Sequence, residues 1–201
     1  MSNKPFFYLL AGPNGAGKST LYRSLVRTGL IDPAIEFVNA DLFEASHLTH
    51  ITDPQERSLA ARDWADRRRT HLLSQRQTFV SETVFSHESK LKLLDNAIAC
   101  GFYVTLFVVA LDNPEQLLLR VKQRIAEGGH SVPPERVLAR YPRTLANLSV
   151  AVYKAHTAAL YDSNELLHTG HQRVVVLQDG QLREKATLLP NWAKTVLGLA
   201  G

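Results

Sequence analysis

The most informative segment of this chain is Gly12-Pro13-Asn14-Gly15-Ala16-Gly17-Lys18-Ser19. Together with Thr20 it forms a glycine-rich loop of the pattern G-x-x-x-x-G-K-[ST], whose backbone N–H groups surround nucleotide phosphates. Lys18 is expected to reach the β- and γ-phosphates, and the Ser19 hydroxyl to ligate Mg²⁺. An apolar strand pattern at 6–10 precedes the loop and a helical pattern at 18–28 follows it. The stretch therefore predicts a site for ATP with magnesium at Gly12–Thr20.

Short apolar runs alternate with longer helical patterns along the rest of the chain. Strands are predicted at 36–39, 78–82, 102–110 and 173–177, the last ending in a turn at Asp179-Gly180. Helices are predicted at 54–76, 87–100, from Asn113, and at 133–160 with a bend or break at Pro142. This alternation predicts an α/β fold of the P-loop NTPase class, a parallel sheet with helices on both faces. The 201 residues suit a single domain, 1–201.

Composition indicates which kinds of ligand and which cellular compartment to expect. The 23 Lys and Arg residues exceed the 19 Asp and Glu residues by four, which favours anionic ligands such as nucleotides without implying nucleic acid. No segment is long enough to span a membrane, and the run at 6–11 is too short for a secretory signal. The single cysteine, Cys100, excludes a disulfide within the chain and fits a reducing, cytoplasmic compartment.

Two absent motifs indicate which class of P-loop protein this is. The chain has no N/T-K-x-D motif for reading guanine, and no serine-glycine-glycine-glutamine signature of transporter ATPases. A kinase remains, and kinases need a carboxylate near the acceptor hydroxyl and arginines that offset the charge of the transferred phosphoryl group.

Two acidic residues stand at predicted strand ends. Asp41 follows the strand at 36–39, which is expected to neighbour the first strand, and Glu82 ends the strand at 78–82. Ligands of open parallel sheets bind at the carboxyl ends of the strands, so both acids are expected to face the phosphate-loop cleft. The alternatives are that Asp41 caps the following helix and that Glu82 forms a structural salt bridge.

A cluster of arginines indicates a lid over roughly 120–143. A glycine-containing link, 127–131, separates two helical patterns whose arginines recur at helical spacing. Such a pair of helices could close over the phosphates, although any one arginine could instead lie on a solvated helix face. The arginines concerned are Arg120, Arg124, Arg136, Arg140 and Arg143. Arg67-Arg68-Arg69 lacks this context and is interpreted as the solvated side of a helix.

Several stretches in order resemble the zeta toxin family of kinases, in its short single-domain branch. They span residues 6–148, with a weaker similarity at Tyr161-Asp162-Ser163-Asn164. Besides the phosphate loop they are Phe37-Val38-Asn39-Ala40-Asp41, Phe79-Val80-Ser81-Glu82-Thr83, and Arg124 with Gly128-Gly129-His130 through Pro142-Arg143 to Asn147-Leu148.

The resemblance implies an adenylate-kinase-like core and phosphorylation of the amino-sugar 3′-hydroxyl of UDP-N-acetylglucosamine. By position it implies Asp41 as general base, Lys18 as phosphate clamp, Glu82 with Thr83 as substrate-binding residues, and Arg124 as a lid arginine. It also implies a small antitoxin partner. The family pattern has Gly-Thr-Gly-Arg after its glutamate, where this chain has Thr83-Val84-Phe85-Ser86. The second lid arginine of the family aligns near His130, so that Arg140 or Arg143 must supply it.

Two other functions remain open from the sequence. One is a P-loop kinase for another small hydroxyl compound, and the other is an ATP-dependent switch or binding module without an acceptor. Asp41 distinguishes them, because a switch needs no base aligned to a bound hydroxyl.

Overall fold

Seven strands form one sheet, in the order β2-β3-β1-β4-β5-β6-β7. The structure, a computed structural model, describes residues 4–126, 133–166 and 170–199. The strands are β1 Phe6–Ala11, β2 Glu36–Val38, β3 Phe79–Thr83, β4 Tyr103–Ala110, β5 Thr157–Asp162, β6 Gln172–Gln178 and β7 Gln181–Lys185. The helices in these ranges are α1 Lys18–Arg27, α2 Ala40–His47, α3 Pro54–Ser74, α4 Ser89–Ala99, α5 Pro114–Ala126, α6 Pro134–Lys154 and α7 Asn191–Leu197.

The sheet is mostly parallel, as the alternating pattern predicts. Strands β2, β3, β1, β4 and β5 pair in parallel, whereas β6 and β7 add two antiparallel strands at one edge. The expectation that the 36–39 strand neighbours β1 is wrong, because β3 lies between them. The connection through α1 leads from β1 to β2 and leaves one strand position empty between them, which β3 occupies. The carboxyl ends of β1, β2 and β3 still meet at one edge of the sheet.

Helices cover both faces of the sheet, and each face has its own core. Phe7 and Leu9 belong to the larger core, under α3, α4, α6 and α7, while Leu10 belongs to a second core under α1 and α5. All three side chains are fully buried, which alternating residues of a two-sided strand require.

The prediction of one helix over 133–160 is wrong at its end. Helix α6 stops at Lys154, and Thr157–Asp162 forms β5 between β4 and β6. The alanines and leucine of this segment favour a helix locally, but pairing on both sides and burial override that preference. Pro142 lies at an exposed position inside α6, and the helix is not broken there.

The chain after β5 contains two elements that the sequence did not indicate, β7 and α7. The predicted turn at Asp179-Gly180 is confirmed, with φ of 48° and 72°, and it joins β6 to β7 as a hairpin. Helix α7 is held by Asp112, whose Oδ1 accepts from the Trp192 N–H at 2.7 Å. No helix in the described ranges has the length and apolar character needed to cross a bilayer.

Candidate active site

The phosphate loop connects the end of β1 to the start of α1 and requires glycine at fixed points. At Gly12, where φ is +150°, an added Cβ would lie 1.9 Å from the Val109 carbonyl oxygen. At Gly17, directly before α1, φ is +96° and no side chain caps the helix. The positive end of α1 therefore faces the loop with its backbone donors available to an anion.

Lys18 lies deep in this loop. Its side chain is 6% exposed, and its Nζ donates to the carbonyl oxygens of Gly12 at 3.0 Å and Pro13 at 2.9 Å. Burial lowers the pKa of Lys18, and the nearby charges of Glu82 and Asp41 oppose that effect. A nucleotide phosphate entering the loop would bring further negative charge to this buried ammonium.

Glu82, near the end of β3, contacts the phosphate loop. Its Oε2 accepts from the Ser19 Oγ at 2.9 Å, and its Oε1 lies 3.7 Å from the Lys18 Nζ. Asn39 donates to the same Oε2 at 3.0 Å through its Nδ2. These contacts place Glu82 beside the phosphate loop, at the edge of the cavity that it also lines.

Asn39 is a site residue to which the sequence analysis gave no role of its own. Its Oδ1 accepts from the Leu42 N–H at 3.1 Å, so Asn39 is the N-cap of α2, while its Nδ2 holds Glu82. The signal that could have identified it is an Asn between a short strand and a helix, the position that N-caps prefer. Because Asn39 occupies the cap, the alternative that Asp41 caps this helix is wrong.

Asp41 lies in the first turn of α2 and faces the cleft. Its carboxylate is 49% exposed, and its Oδ2 lies 3.3 Å from the Arg124 Nη1 of α5. Asp41 is also close enough to Lys18 for its negative charge to raise the pKa of the lysine, against the lowering that burial causes. An acidic residue in the first turn of α2 is also favourably placed relative to the helix dipole.

The predicted lid arginines divide into two sets. Arg124, Arg140 and Arg143 line the cavity, and the Arg140 Nη1 comes within 3.5 Å of the Asn14 Oδ1 of the phosphate loop. Arg120 instead donates to the Ser163 carbonyl oxygen at 2.7 Å, and therefore anchors the segment after β5. Arg136 lies on the exposed side of α6. The predicted glycine link at 127–131 lies outside the described residues.

One cavity of about 650 Å³ joins these groups. It extends from Asn14 and Lys18 past Asp41 and Glu82 to the walls formed by α3, the 84–87 loop and the start of α4. Thr83, which was predicted to bind the substrate, lines this cavity. Helix α6 fixes this loop through the Asn147 Nδ2, which donates to the Phe85 carbonyl oxygen at 3.0 Å. The volume is in the range of small-molecule sites.

The interpretation of Arg67-Arg68-Arg69 as a solvated face is wrong for Arg69. Arg69 is 4% exposed and donates through Nη1 to the buried Ser81 Oγ at 3.1 Å. Arg68 pairs with Glu36 through Nε at 2.6 Å. A run of arginines carries no local sign of burial, since only packing of α3 against the sheet turns Arg69 inward.

The donor set beside the phosphate loop fits a magnesium ion that accompanies a nucleotide. Mg²⁺ is usually bound through one or two carboxylates or hydroxyls together with substrate phosphates and water. Ser19 supplies a hydroxyl at the start of α1, and Glu82 supplies a carboxylate hydrogen-bonded to it. Both are hard oxygen ligands, as this ion requires.

A family model and a curated relative match this chain over most of its length. The family model described as Zeta toxin matches residues 1–166. An uncharacterized protein of Haemophilus influenzae (strain ATCC 51907 / DSM 11121 / KW20 / Rd) is 33% identical over 145 residues, which are 70% of this chain and 94% of that protein.

Two solved structures share the fold. The crystal structure of AvrRxo1-ORF1:-ORF2 with ATP superposes with a TM-score of 0.69 at 20% identity over 91% of this chain, which covers only 61% of that chain. The PezAT chromosomal toxin-antitoxin system of Streptococcus pneumoniae superposes with a TM-score of 0.61 at 19% identity, over 80% of this chain and 68% of that one. At these identities the likeness shows a common fold.

Proposed function

The chain belongs to the zeta toxin family of phosphotransferases, and on this premise we propose that it transfers the γ-phosphoryl group of ATP to a hydroxyl group of a sugar nucleotide such as UDP-N-acetylglucosamine. The observation that carries this proposal is the cavity that Lys18, Asp41 and Glu82 line together. It brings a phosphate-binding lysine and a half-exposed carboxylate to one space.

ATP is assigned to the phosphate-loop end of the cavity. Gly12–Thr20 and the first turn of α1 offer backbone donors to the phosphates, and Lys18 offers its ammonium. The AvrRxo1-ORF1:-ORF2 structure that shares this fold was solved with ATP, which agrees with the assignment. Bound Mg²⁺ would offset charge on the β- and γ-phosphates, and Ser19 and Glu82 are the residues that would hold it.

Asp41 is assigned to the acceptor. Phosphoryl transfer is mostly positioning and charge stabilisation, so a carboxylate orients the hydroxyl and takes its proton as the new P–O bond forms. Asp41 can accept that proton because its carboxylate is 49% exposed and faces the cavity. Arg124 and Arg140 would then offset the charge on the moving phosphoryl group, with Arg143 as the further candidate beside them.

We also propose that the protein acts as a toxin with a small antitoxin partner. The PezAT structure is of a toxin-antitoxin system, and the AvrRxo1-ORF1 structure contains a second protein, AvrRxo1-ORF2. The free cysteine Cys100 is exposed, which fits a reducing compartment such as the cytoplasm. Growth arrest on induction, relieved by co-expression of a small neighbouring reading frame, would test this role.

The acceptor is tested by incubating the protein with ATP, Mg²⁺ and a panel of sugar nucleotides, sugars and other small hydroxyl compounds. Mass spectrometry is expected to find a product heavier by one phosphoryl group for at least one sugar nucleotide. The Asp41→Asn variant is the matched control, since it keeps the size of the side chain and should give no comparable product. ATP hydrolysis without any phosphorylated acceptor would favour the switch or binding module instead.

A further inference from the structure

A second group of cations lines the cavity on the side of α3 and α4. Lys90, in the first turn of α4, donates through Nζ to the Asp66 Oδ1 at 3.1 Å, and its side chain is only 16% exposed. Arg69 pairs with the same Asp66 carboxylate and is 4% exposed. Both cations line the cavity that also contains Lys18 and Asp41. None of the roles assigned above uses them.

The charges of this group do not balance. Arg69 and Lys90 share one carboxylate, Asp66, which is itself 51% exposed. Arg62 stands on the same wall, but Asp63, 3.9 Å from its Nε, offsets its charge, so the excess is the one positive charge that Asp66 leaves on Arg69 and Lys90. Burial and the neighbouring Arg69 lower the pKa of Lys90, while Asp66 opposes them. A buried pair of cations with one exposed counter-charge attracts a further anion.

The group is also rigidly placed. Ser81 holds the Arg69 Nη1 at 3.1 Å and in turn donates to the Val38 carbonyl oxygen, which ties α3 to two strands of the sheet. The Arg69 Nε is buried without a hydrogen-bond partner in the described part of the chain. A guanidinium whose position is fixed in this way suits a phosphate site, because little ordering remains to be done on binding.

We propose that Arg69 and Lys90 form a second anion subsite, which binds a phosphate group of the acceptor while the phosphate loop holds ATP. This inference rests on the proposed kinase function and specifies its acceptor as an anionic molecule. A nucleoside diphosphate attached to the sugar has the required charge and would extend from Asp41 towards α3 and α4. Asp66 then competes with the ligand for the two cations, and turns to solvent when the ligand binds.

The competition gives two variants opposite effects on binding. UDP is the probe, titrated by calorimetry into protein saturated with a non-hydrolysable ATP analogue, so that UDP cannot occupy the phosphate loop. Lys90→Ala should weaken UDP binding by about tenfold or more, the scale of a lost hydrogen bond to a charged group. Asp66→Asn should tighten it, because the competing charge is gone while the size of the side chain remains.

Lys92→Ala is the matched control, since Lys92 is exposed on the same helix and does not line the cavity. It should bind UDP like the wild type, and uridine, which lacks the diphosphate, should distinguish none of the variants. In kinase assays Lys90→Ala should raise the KM for UDP-N-acetylglucosamine and leave the KM for ATP unchanged. Equal UDP affinity in the wild type and Lys90→Ala overturns the proposal, as does an Asp66→Asn affinity no higher than that of the wild type.

The two proposals fail separately. If no sugar nucleotide is phosphorylated but the UDP titrations behave as described, the anion subsite stands and the assigned acceptor is wrong. If UDP-N-acetylglucosamine is phosphorylated and Lys90→Ala has the KM and the UDP affinity of the wild type, the kinase function stands and the subsite is wrong.

Discussion

Arg124 Nη1 lies 3.3 Å from Asp41 Oδ2, so an arginine expected on the ATP phosphates contacts the carboxylate expected on the acceptor. The two side chains are 37% and 49% exposed, and a contact of this kind contributes about 0–1 kcal/mol to stability. The triphosphate of ATP carries more negative charge than one carboxylate. Binding of ATP should therefore draw Arg124 from Asp41 to the phosphates and leave Asp41 available to a hydroxyl.

The first prediction is that the lid predicted over 120–143 closes over the phosphates when a non-hydrolysable ATP analogue binds. Hydrogen exchange of this segment should slow, because Arg124 and Arg140 gain contacts with the phosphates across the cleft. Lys18→Ala is the control, since the analogue should bind it poorly and protect the segment less. Exchange in 120–143 that is unaltered by the analogue in the wild type would remove the lid from the mechanism.

The sequence predicts best the parts of the fold that local chemistry specifies. At Gly12 and Gly17 the backbone has a positive φ and leaves no room for a Cβ, so the glycines of the motif predict this loop. Strand β1 is predicted by its unbroken apolar run. The position of β3 between β2 and β1 follows from how the chain returns to the sheet, which no local pattern records. The strand β5 looks helical in sequence, and only its pairing partners decide otherwise.

Charged side chains are the least predictable part of the site. Arg69 and Arg67 stand in one run of three arginines, yet Arg69 is buried against Ser81 while Arg67 is exposed. Arg120 and Arg124 share a helix face by spacing, yet one holds the Ser163 backbone and the other reaches Asp41. An arginine side chain is long enough to reach several partners. Its role therefore depends on which distant segments of the chain the fold brings within its reach.

The second prediction concerns Lys18→Ala. ATP turnover should fall by about a hundredfold or more, the scale expected when one donor to the reacting charge is removed. Lys18 sits in a pre-formed loop, so the variant should remain folded, and its melting temperature should be measured beside the wild type. Lys122→Ala, an exposed change on α5, controls for loss of positive charge alone. A folded Lys18→Ala protein with normal turnover would contradict the assignment of the phosphate loop.

The third prediction distinguishes two roles for Glu82. Glu82→Gln keeps the side-chain volume and an oxygen that can accept from Ser19, but removes the charge. If Glu82 supports the ion, the Mg²⁺ concentration for half-maximal activity should rise, with activity lowered by about 10–100-fold at fixed Mg²⁺. The role as a substrate-binding acid predicts instead a raised KM for the acceptor with an unchanged Mg²⁺ dependence. Titrating Mg²⁺ and acceptor separately decides between the two roles.

The fourth prediction is that Arg120 stabilises the fold and does not take part in the lid. Its guanidinium donates to the Ser163 carbonyl oxygen at 2.7 Å, and burial lowers its pKa despite the attraction of Asp162. Arg120→Ala should lower the free energy of unfolding by about 1.5–3 kcal/mol, as for a hydrogen bond to a charged group. Chemical denaturation measures this, with Lys122→Ala as the matched change on the same helix. An Arg120→Ala protein of normal stability but impaired catalysis would contradict this prediction and favour a role for Arg120 in the lid.

The fifth prediction is that Asp41 takes the proton from the acceptor hydroxyl. Asp41→Asn preserves the shape of the side chain but cannot accept that proton, so phosphorylation should fall by about 10²–10⁴-fold, the usual scale for loss of a general base. ATP affinity should survive, because the phosphate loop is unchanged. The melting temperature should also survive, since Asn39 and not Asp41 caps α2.

The contact with Arg124 supplies a second reason for Asp41→Asn to lose activity, and a double variant separates the two. If Asp41 acted only by positioning Arg124, then Arg124→Ala would already remove that effect, and adding Asp41→Asn would cost little more. If Asp41 is the base, the loss from Asp41→Asn should remain large in the Arg124→Ala background. Product formation, ATP binding and melting temperature measured on both single variants and the double variant therefore assign the role. Near-wild-type phosphorylation by Asp41→Asn would exclude Asp41 as the base, whatever Arg124 does.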